Sequence, residues 1–413
     1  MKTKSYFKKT TATLATLLSV GALHTLTAAT SLPKDTNPAL LYWREFATLP
    51  DVDGGKVEEL GAQSEIDSNY RDYVARFDNT FRRLNKVRRL NAPCNWGDDL
   101  DEGPELLLPY LAKARDIARI ARLRVRAHLN EGDQTRAVNE LLSVYSLSGH
   151  IANSPILINL LVHYGMDRIS ARTVAENLGS FNRDALSRLQ TGIAEAPKGM
   201  AIADTIDTER HFMAGWIRNR LQTILDENSG DKAAAKAAAT ALMESMLSIS
   251  EDESLWQVFE KSSVKDVEGV IRLLDETNAD YDRLEALCRK PLAANIAALK
   301  AFDTATENSN NAIRRQVFPA ISKAVARSVG NDVINAMVIT AIKAQLEGEQ
   351  AFAKSVDPVG GAPFKHNPFR QGTTSVGFIL ESSFDDDRDS RFLFLTKPVP
   401  GIQVSGDKLG TIR

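Results

Sequence analysis

Residues 105–151 read ELLLPYLAKARDIARIARLRVRAHLNEGDQTRAVNELLSVYSLSGHI, and the break in the middle of this stretch decides the fold. Leu107, Leu111, Ala114, Ala118, Ala121, Val125 and Leu129 recur at three- and four-residue steps, so they line one face of a helix predicted over 105–130. Arg115, Arg119, Arg122 and Arg126 form a cationic stripe on the same helix. Gly132 and Asp133 then supply a tight turn. Small Ala137 falls where a second helix, running to about Ile151, must approach the first closely.

That turn resembles the one in a tetratricopeptide (TPR)-like helix pair, and the same reading extends in both directions. Upstream, 36–46 is a short helix with an aromatic patch at Tyr42, Trp43 and Phe46, interrupted by Pro50 and Gly54. Residues 67–90 read as one long amphipathic helix with Tyr70, Tyr73, Val74, Phe77, Phe81, Leu84 and Val87 on its apolar face. The loop 91–104 (NAPCNWGDDLDEGP) separates it from 105–130, and Pro104 is placed to open that helix. Downstream, helices are predicted over 156–178, after a cap at Asn182, and over 200–227, 232–247, 252–261, 264–287, 292–306, 312–327 and 332–353. After Lys354 the pattern changes to a turn and two short strands, 375–381 and 391–396, followed by a tail expected to be mobile. The expected fold is therefore all-α: a multi-helix array over 30–353, with a subdivision near 180–200, carrying a small C-terminal β-hairpin appendage in 354–413.

The first residues specify a compartment. Lys2, Lys4, Lys8 and Lys9 precede the apolar stretch Ala12–Ala22, and Thr27 and Ala29 occupy the −3 and −1 positions of a signal-peptidase site. The expectation is a signal peptide over 1–29 and a periplasmic or secreted protein. The apolar stretch is shorter than the roughly 20 residues a bilayer crossing needs, so no stable membrane span is expected after cleavage. The 413-residue chain carries net charge −2, which falls to −6 once the four signal lysines are set aside, and nucleic acid is not an expected partner. Cys94 and Cys288 are the two cysteines; an oxidising compartment would let them pair, with two buried thiols as the competing reading.

Residues 40–44 (LLYWR), 94–97 (CNWG), 103–107 (GPELL), the Gly132–Asp133 turn and 357–364 (DPVGGAPF) together resemble uncharacterised exported helical proteins of planctomycete and verrucomicrobial bacteria. The resemblance spans nearly all of the mature chain and implies no activity and no catalytic residue. The C-terminal region is also loosely similar to the C-terminal module of type II secretion pseudopilins, in which Asp-Pro-aromatic-Gly precedes a strand and acidic residues hold calcium. Val359 stands where the aromatic is expected and the pilin leader is missing, so this similarity extends to the β-module alone.

Calcium is the sharpest ligand hypothesis, because Asp385, Asp386, Asp387 and Asp389 bring several carboxylates into one loop. A solvated acidic turn is the competing reading, since the spacing is not that of an EF-hand. Asp98, Asp99, Asp101 and Glu102 form a second acidic loop, and carboxylates gather at helix N-termini without any metal. None of His128, His150, His163, His211 and His366 belongs to a zinc-protease or nucleophile-elbow motif. His163 and Asp167 lie one helical turn apart, within hydrogen-bond reach. Gly360-Gly361 has no following Lys-Ser/Thr, so no phosphate-cradling loop is expected. The arginine stripes of 82–89 and 115–126 would serve an anionic partner or surface ion pairs.

No motif fixes a chemistry, and fold does not fix function. The leading expectation is a non-enzymatic interaction or scaffold protein whose helical surface recognises a peptide or protein. The first alternative is a cell-envelope hydrolase assembled from distant helices, with Asp207, Glu209 and His211 as candidates. The second is a calcium-dependent, secretion-associated module.

Overall fold

The computed structural model describes residues 36–90, 92–244, 259, 264–384, 390–397 and 399. The proposed signal peptide, the acidic calcium loop, the tail and all of the predicted 252–261 helix except Phe259 lie outside these residues. The chain is predominantly helical: α1 (Pro38–Ala47), α2 (Gly54–Ala62), α3 (Ser68–Ala75), α4 (Asp78–Val87), α5 (Pro109–Asn130), α6 (Gln134–Ile151), α7 (Leu157–Asn177), α8 (Arg183–Ala194), α9 (Ile202–Glu209), α10 (Trp216–Glu227), α11 (Lys232–Glu244), α12 (Val267–Asp275), α13 (Asn278–Cys288), α14 (Leu292–Glu307), α15 (Ala312–Glu347) and α16 (Gln350–Ala353). Among the described residues no helix is long and apolar enough to cross a membrane.

The α5–α6 turn forms as its sequence dictates. Gly132 adopts φ +77°, a conformation that side chains with a Cβ rarely take. The Asp133 carboxylate accepts from the Arg136 backbone N–H at 2.9 Å, capping α6. Ala137 is fully buried between the two helices. The helix opens at Pro109 rather than near 105. Gly103 (φ +59°) and Pro104 lie in a 3-10 segment, Leu100–Glu105, and Leu107, expected on the apolar stripe, is 83% exposed.

Two predicted long helices are each broken in two, and the physical reason is the same. The 67–90 segment divides at Arg76–Phe77, where the Val74 carbonyl accepts from the Arg124 guanidinium of α5. The 264–287 segment divides at Glu276–Thr277, where Asn311 Nδ2 donates to the Leu273 carbonyl at 2.8 Å. Carbonyls at a helix end need partners beyond the helix's own ladder, and in both places a distant side chain supplies one. The converse holds at 312–353, expected as two helices. Gly330 is absorbed into the 36-residue α15 because Val329, Val333 and Ile334 around it are buried, and the helix ends only at Gly348, φ +90°.

The C-terminal strands β1 (Lys365–Gln371), β2 (Thr374–Glu381) and β3 (Arg391–Leu395) form an antiparallel sheet in the order β1-β2-β3, with β1 preceding the two strands read from the sequence. Its inner residues Phe378, Leu380, Phe392 and Phe394 share one hydrophobic cluster with Val138 of α6, Val174 of α7, Leu189 of α8 and Met337 of α15. The 357–364 motif works as a clasp on this sheet. Asp357 accepts from the Val359 and Ser383 backbone N–H groups, at 3.0 and 2.7 Å, and from the hydroxyls of Ser382 and Ser383, both at 2.9 Å. Burial alone would raise its carboxyl; these hydrogen bonds outweigh burial and hold it below the usual carboxylate range.

A second cluster joins α1 to the 91–104 loop through stacked rings. Trp96 lies 4.4 Å from Tyr110 and 5.7 Å from Tyr42, centroid to centroid. Cys94 belongs to this cluster, whereas Cys288 belongs to another one built on α13, α14 and α15. Both are buried free thiols in separate cores, the second of the two readings their sequence allowed.

Candidate binding cavity

The residues nominated for hydrolysis do not converge. Asp207 and Glu209 close α9, and His211 lies in a π-helical segment, Arg210–Gly215, that runs into α10. His211 is 73% exposed, its Nδ1 bonded to the Asp207 carbonyl at 2.9 Å. Glu209 faces the interior instead, where it accepts from the Leu157 backbone N–H. Leu157 is the first residue of α7, whose own N-cap Ile156 offers no side-chain bond, so Glu209 caps that helix from a distance. Burial pushes its carboxyl up to about 7 despite that bond.

The acidic 98–102 loop is likewise consumed by structure. Asp98 Oδ2 accepts from the Tyr110 hydroxyl at 2.7 Å and from Ser154 at 2.8 Å, and Asp99 accepts from the Asp101 backbone N–H at 3.1 Å. His150 is buried, with Nδ1 2.9 Å from the Tyr42 hydroxyl, and burial pushes its pKa down to about 4. His128 is buried against Glu140, and His366 stacks on Phe352 at 3.9 Å.

His163 and Asp167 line one cavity together. A cavity of about 480 Å³ opens between α6, α7 and α15, with residues 193–202 as its fourth wall. Its polar lining comes from Tyr145, His163, Tyr164, Asp167, Ser328, Asn331, Asp332 and Asn335, and Lys198 stands exposed at the rim. The fourth wall is docked tightly on the end of α6. The Met200 N–H donates to the Ala152 carbonyl at 2.8 Å, and a Cβ added to Gly149 would lie 1.9 Å from the Pro197 carbonyl oxygen. We expect Gly149→Ala to destabilise the protein by about 1–3 kcal/mol, through backbone overpacking that no rotamer change relieves. Urea denaturation measures this loss, and an unchanged midpoint would contradict the close approach.

Asp167 is 4% exposed and organises the cavity. Its Oδ1 accepts from Ser148 Oγ at 2.7 Å, and the same oxygen of Ser148 lies 2.7 Å from His163 Nδ1. A hydroxyl has one proton to give. Donating it to the carboxylate, Ser148 accepts from His163 Nδ1–H, which leaves Nε2 as the acceptor nitrogen. On the other side, Asn331 and Asn335 direct Nδ2 toward Asp167 Oδ2 at 3.4 and 3.3 Å. Their Oδ1 atoms and the Tyr145 hydroxyl have no hydrogen-bond partner among the described residues. Tyr164 donates to Ser328 Oγ at 3.0 Å. Cys288, also in the wall, is buried, which pushes its thiol up to about 12 and keeps it protonated.

This geometry differs from a nucleophilic triad. There the imidazole presents one nitrogen to the hydroxyl and the other to the carboxylate. Here serine and aspartate both approach the Nδ1 edge, and Ser148 is 0% exposed. The arrangement holds side chains in place rather than activating one.

The sequence pointed to the His163–Asp167 pair but not to its surroundings. The available signal was polar residues on otherwise apolar helix faces: Ser148 in α6, and Asn331 and Asn335 four residues apart in α15. Comparison with protein-family models, with curated proteins and with solved structures finds no match for this chain.

Proposed function

We propose that the protein is an exported, non-enzymatic binding protein that uses the cavity between α6, α7 and α15 to hold a group presented by a peptide or protein partner. The observation that carries this reading is the mutual engagement of Ser148, His163, Asp167, Asn331 and Asn335, which gives the cavity an ordered polar wall without a poised nucleophile. A volume of about 480 Å³ suits a side chain or a small ligand. The basic and apolar N-terminal segment with its small-residue cleavage site supports export. The TPR-like α5–α6 pair supports a helical interaction surface. The hydrolase alternative loses its footing because Glu209 and His211 face different surroundings.

A photoreactive amino acid at position 198, on the rim, tests the reading in intact cells, with the same label at exposed position 211 as control. Discrete adducts from 198 and none from 211 are expected. Equal labelling at the two positions, or none at 198, contradicts the proposal.

A further inference from the structure

The cavity's charge and its unpartnered atoms identify the ligand's chemistry. Two carboxylates, Asp167 and Asp332, line it, and among the described residues neither has a lysine or arginine partner. Among the described residues Asp167 is met by neutral donors and by His163. Asp332 is exposed within the concavity, where the protein around it still desolvates the carboxyl and raises its pKa; nearby His163 works the other way. The atoms left without partners add to the same pattern. Asn331 and Tyr145 are 7% and 5% exposed, and Asn331 Oδ1, Asn335 Oδ1 and the Tyr145 hydroxyl oxygen are all able to accept hydrogen bonds. The remaining wall is apolar or aromatic, from Leu160, Ile193, Met200 and Ile202 to the ring of Tyr164. Such a surface suits a methylene chain that ends in a cation.

Resting on the binding reading above, we infer that the cavity takes a primary alkylammonium group, with Asp332 and Asp167 as counter-charges and the apolar wall around its methylenes. The group belongs either to a free diamine or to a lysine side chain on a partner. An anionic or neutral ligand would bring no counter-charge to Asp332, and Lys198 at the rim would repel the ammonium that the inner carboxylates attract.

Calorimetric titration of the full chain with cadaverine and with Nα-acetyl-lysine methylamide tests this, with pentanol and butyrate as neutral and anionic controls. Saturable 1:1 binding of at least one amine, and of neither control, is expected. Tighter binding of the lysine derivative assigns the source to a partner's side chain; tighter binding of cadaverine assigns it to a free diamine. Asp332→Asn removes a charge at an exposed position and should weaken binding about tenfold or more. Lys198→Ala should strengthen it, an opposite sign that general damage to the fold would not give. No amine binding, binding of pentanol or butyrate to the same extent, or insensitivity to Asp332→Asn overturns the inference. If rim crosslinks persist while amines fail to bind, the ligand assignment alone is wrong; loss of both removes the binding reading as well.

Discussion

Arg124→Met lowers the unfolding free energy by about 3–5 kcal/mol, the expected cost of leaving a buried charge without its partner. Arg124 is 2% exposed and Glu140 5%, and the two are joined across the α5–α6 hairpin by bonds of 2.7 and 3.0 Å. The same guanidinium reaches Asp78 at 2.8 Å, takes the Val74 carbonyl, and lies 4.9 Å from the centre of the Phe81 ring. His128 Nε2 completes the group 3.0 Å from Glu140. The cluster therefore ties the hairpin to the break between α3 and α4, and removing the guanidinium takes the charged partner from Glu140 and leaves the Val74 carbonyl to backbone N–H groups such as that of Phe77. Arg124→Met combined with Glu140→Leu should recover much of the loss, since a matched apolar pair replaces a buried ion pair at little cost. Arg119→Met, at a half-exposed position of the same helix, should change stability by less than about 0.5 kcal/mol. Equilibrium urea denaturation of the four proteins decides it, and equal effects of Arg124→Met and Arg119→Met would refute the account of the cluster.

His150 should make the fold acid-sensitive. Its pKa drops from 6.5 to about 4 on folding because burial disfavours the imidazolium. The unfolded chain thus binds more protons between these values. The contribution is fully present above about pH 6.5 and is lost as pH falls toward 4, about 3 kcal/mol in all. Glu209 tilts the profile the other way: raised from 4.5 to about 7, its contribution is full below pH 4.5 and is lost as pH rises through 7. The measurable quantity is therefore the difference between wild type and His150→Gln. Wild type should lose about 3 kcal/mol more than the variant between pH 7 and pH 4. Parallel profiles would show that His150 protonates as freely in the folded protein as in the unfolded chain.

Much of the architecture was legible because local signals and tertiary packing agree there. Gly132, Ala137 and the Asn182 cap act as their residue types imply, and the apolar stripe from Leu111 to Val125 is buried. The helix breaks were hidden because the apolar period runs straight through them. Phe77 is fully buried at one such break, and nothing in its neighbourhood announces that Arg124, about fifty residues later, will claim the Val74 carbonyl. Gly330-Asn331-Asp332 misled in the opposite sense, reading as a join where packing carries the helix through. The cavity was least legible. Ser148, Asp167 and Asn331 come from three helices, and only the fold shows that their polar groups satisfy one another.

The central claim is that the cavity holds its ligand without transforming it. Native mass spectrometry of the protein with its tightest-binding amine, followed by release and weighing of the ligand after prolonged incubation, tests it most directly. The account predicts one ligand per chain, recovered at unchanged mass, with the complex depleted in Asp332→Asn. Recovery of a chemically altered ligand would contradict a binding role, and an equally abundant complex in Asp332→Asn would contradict the cavity as its site.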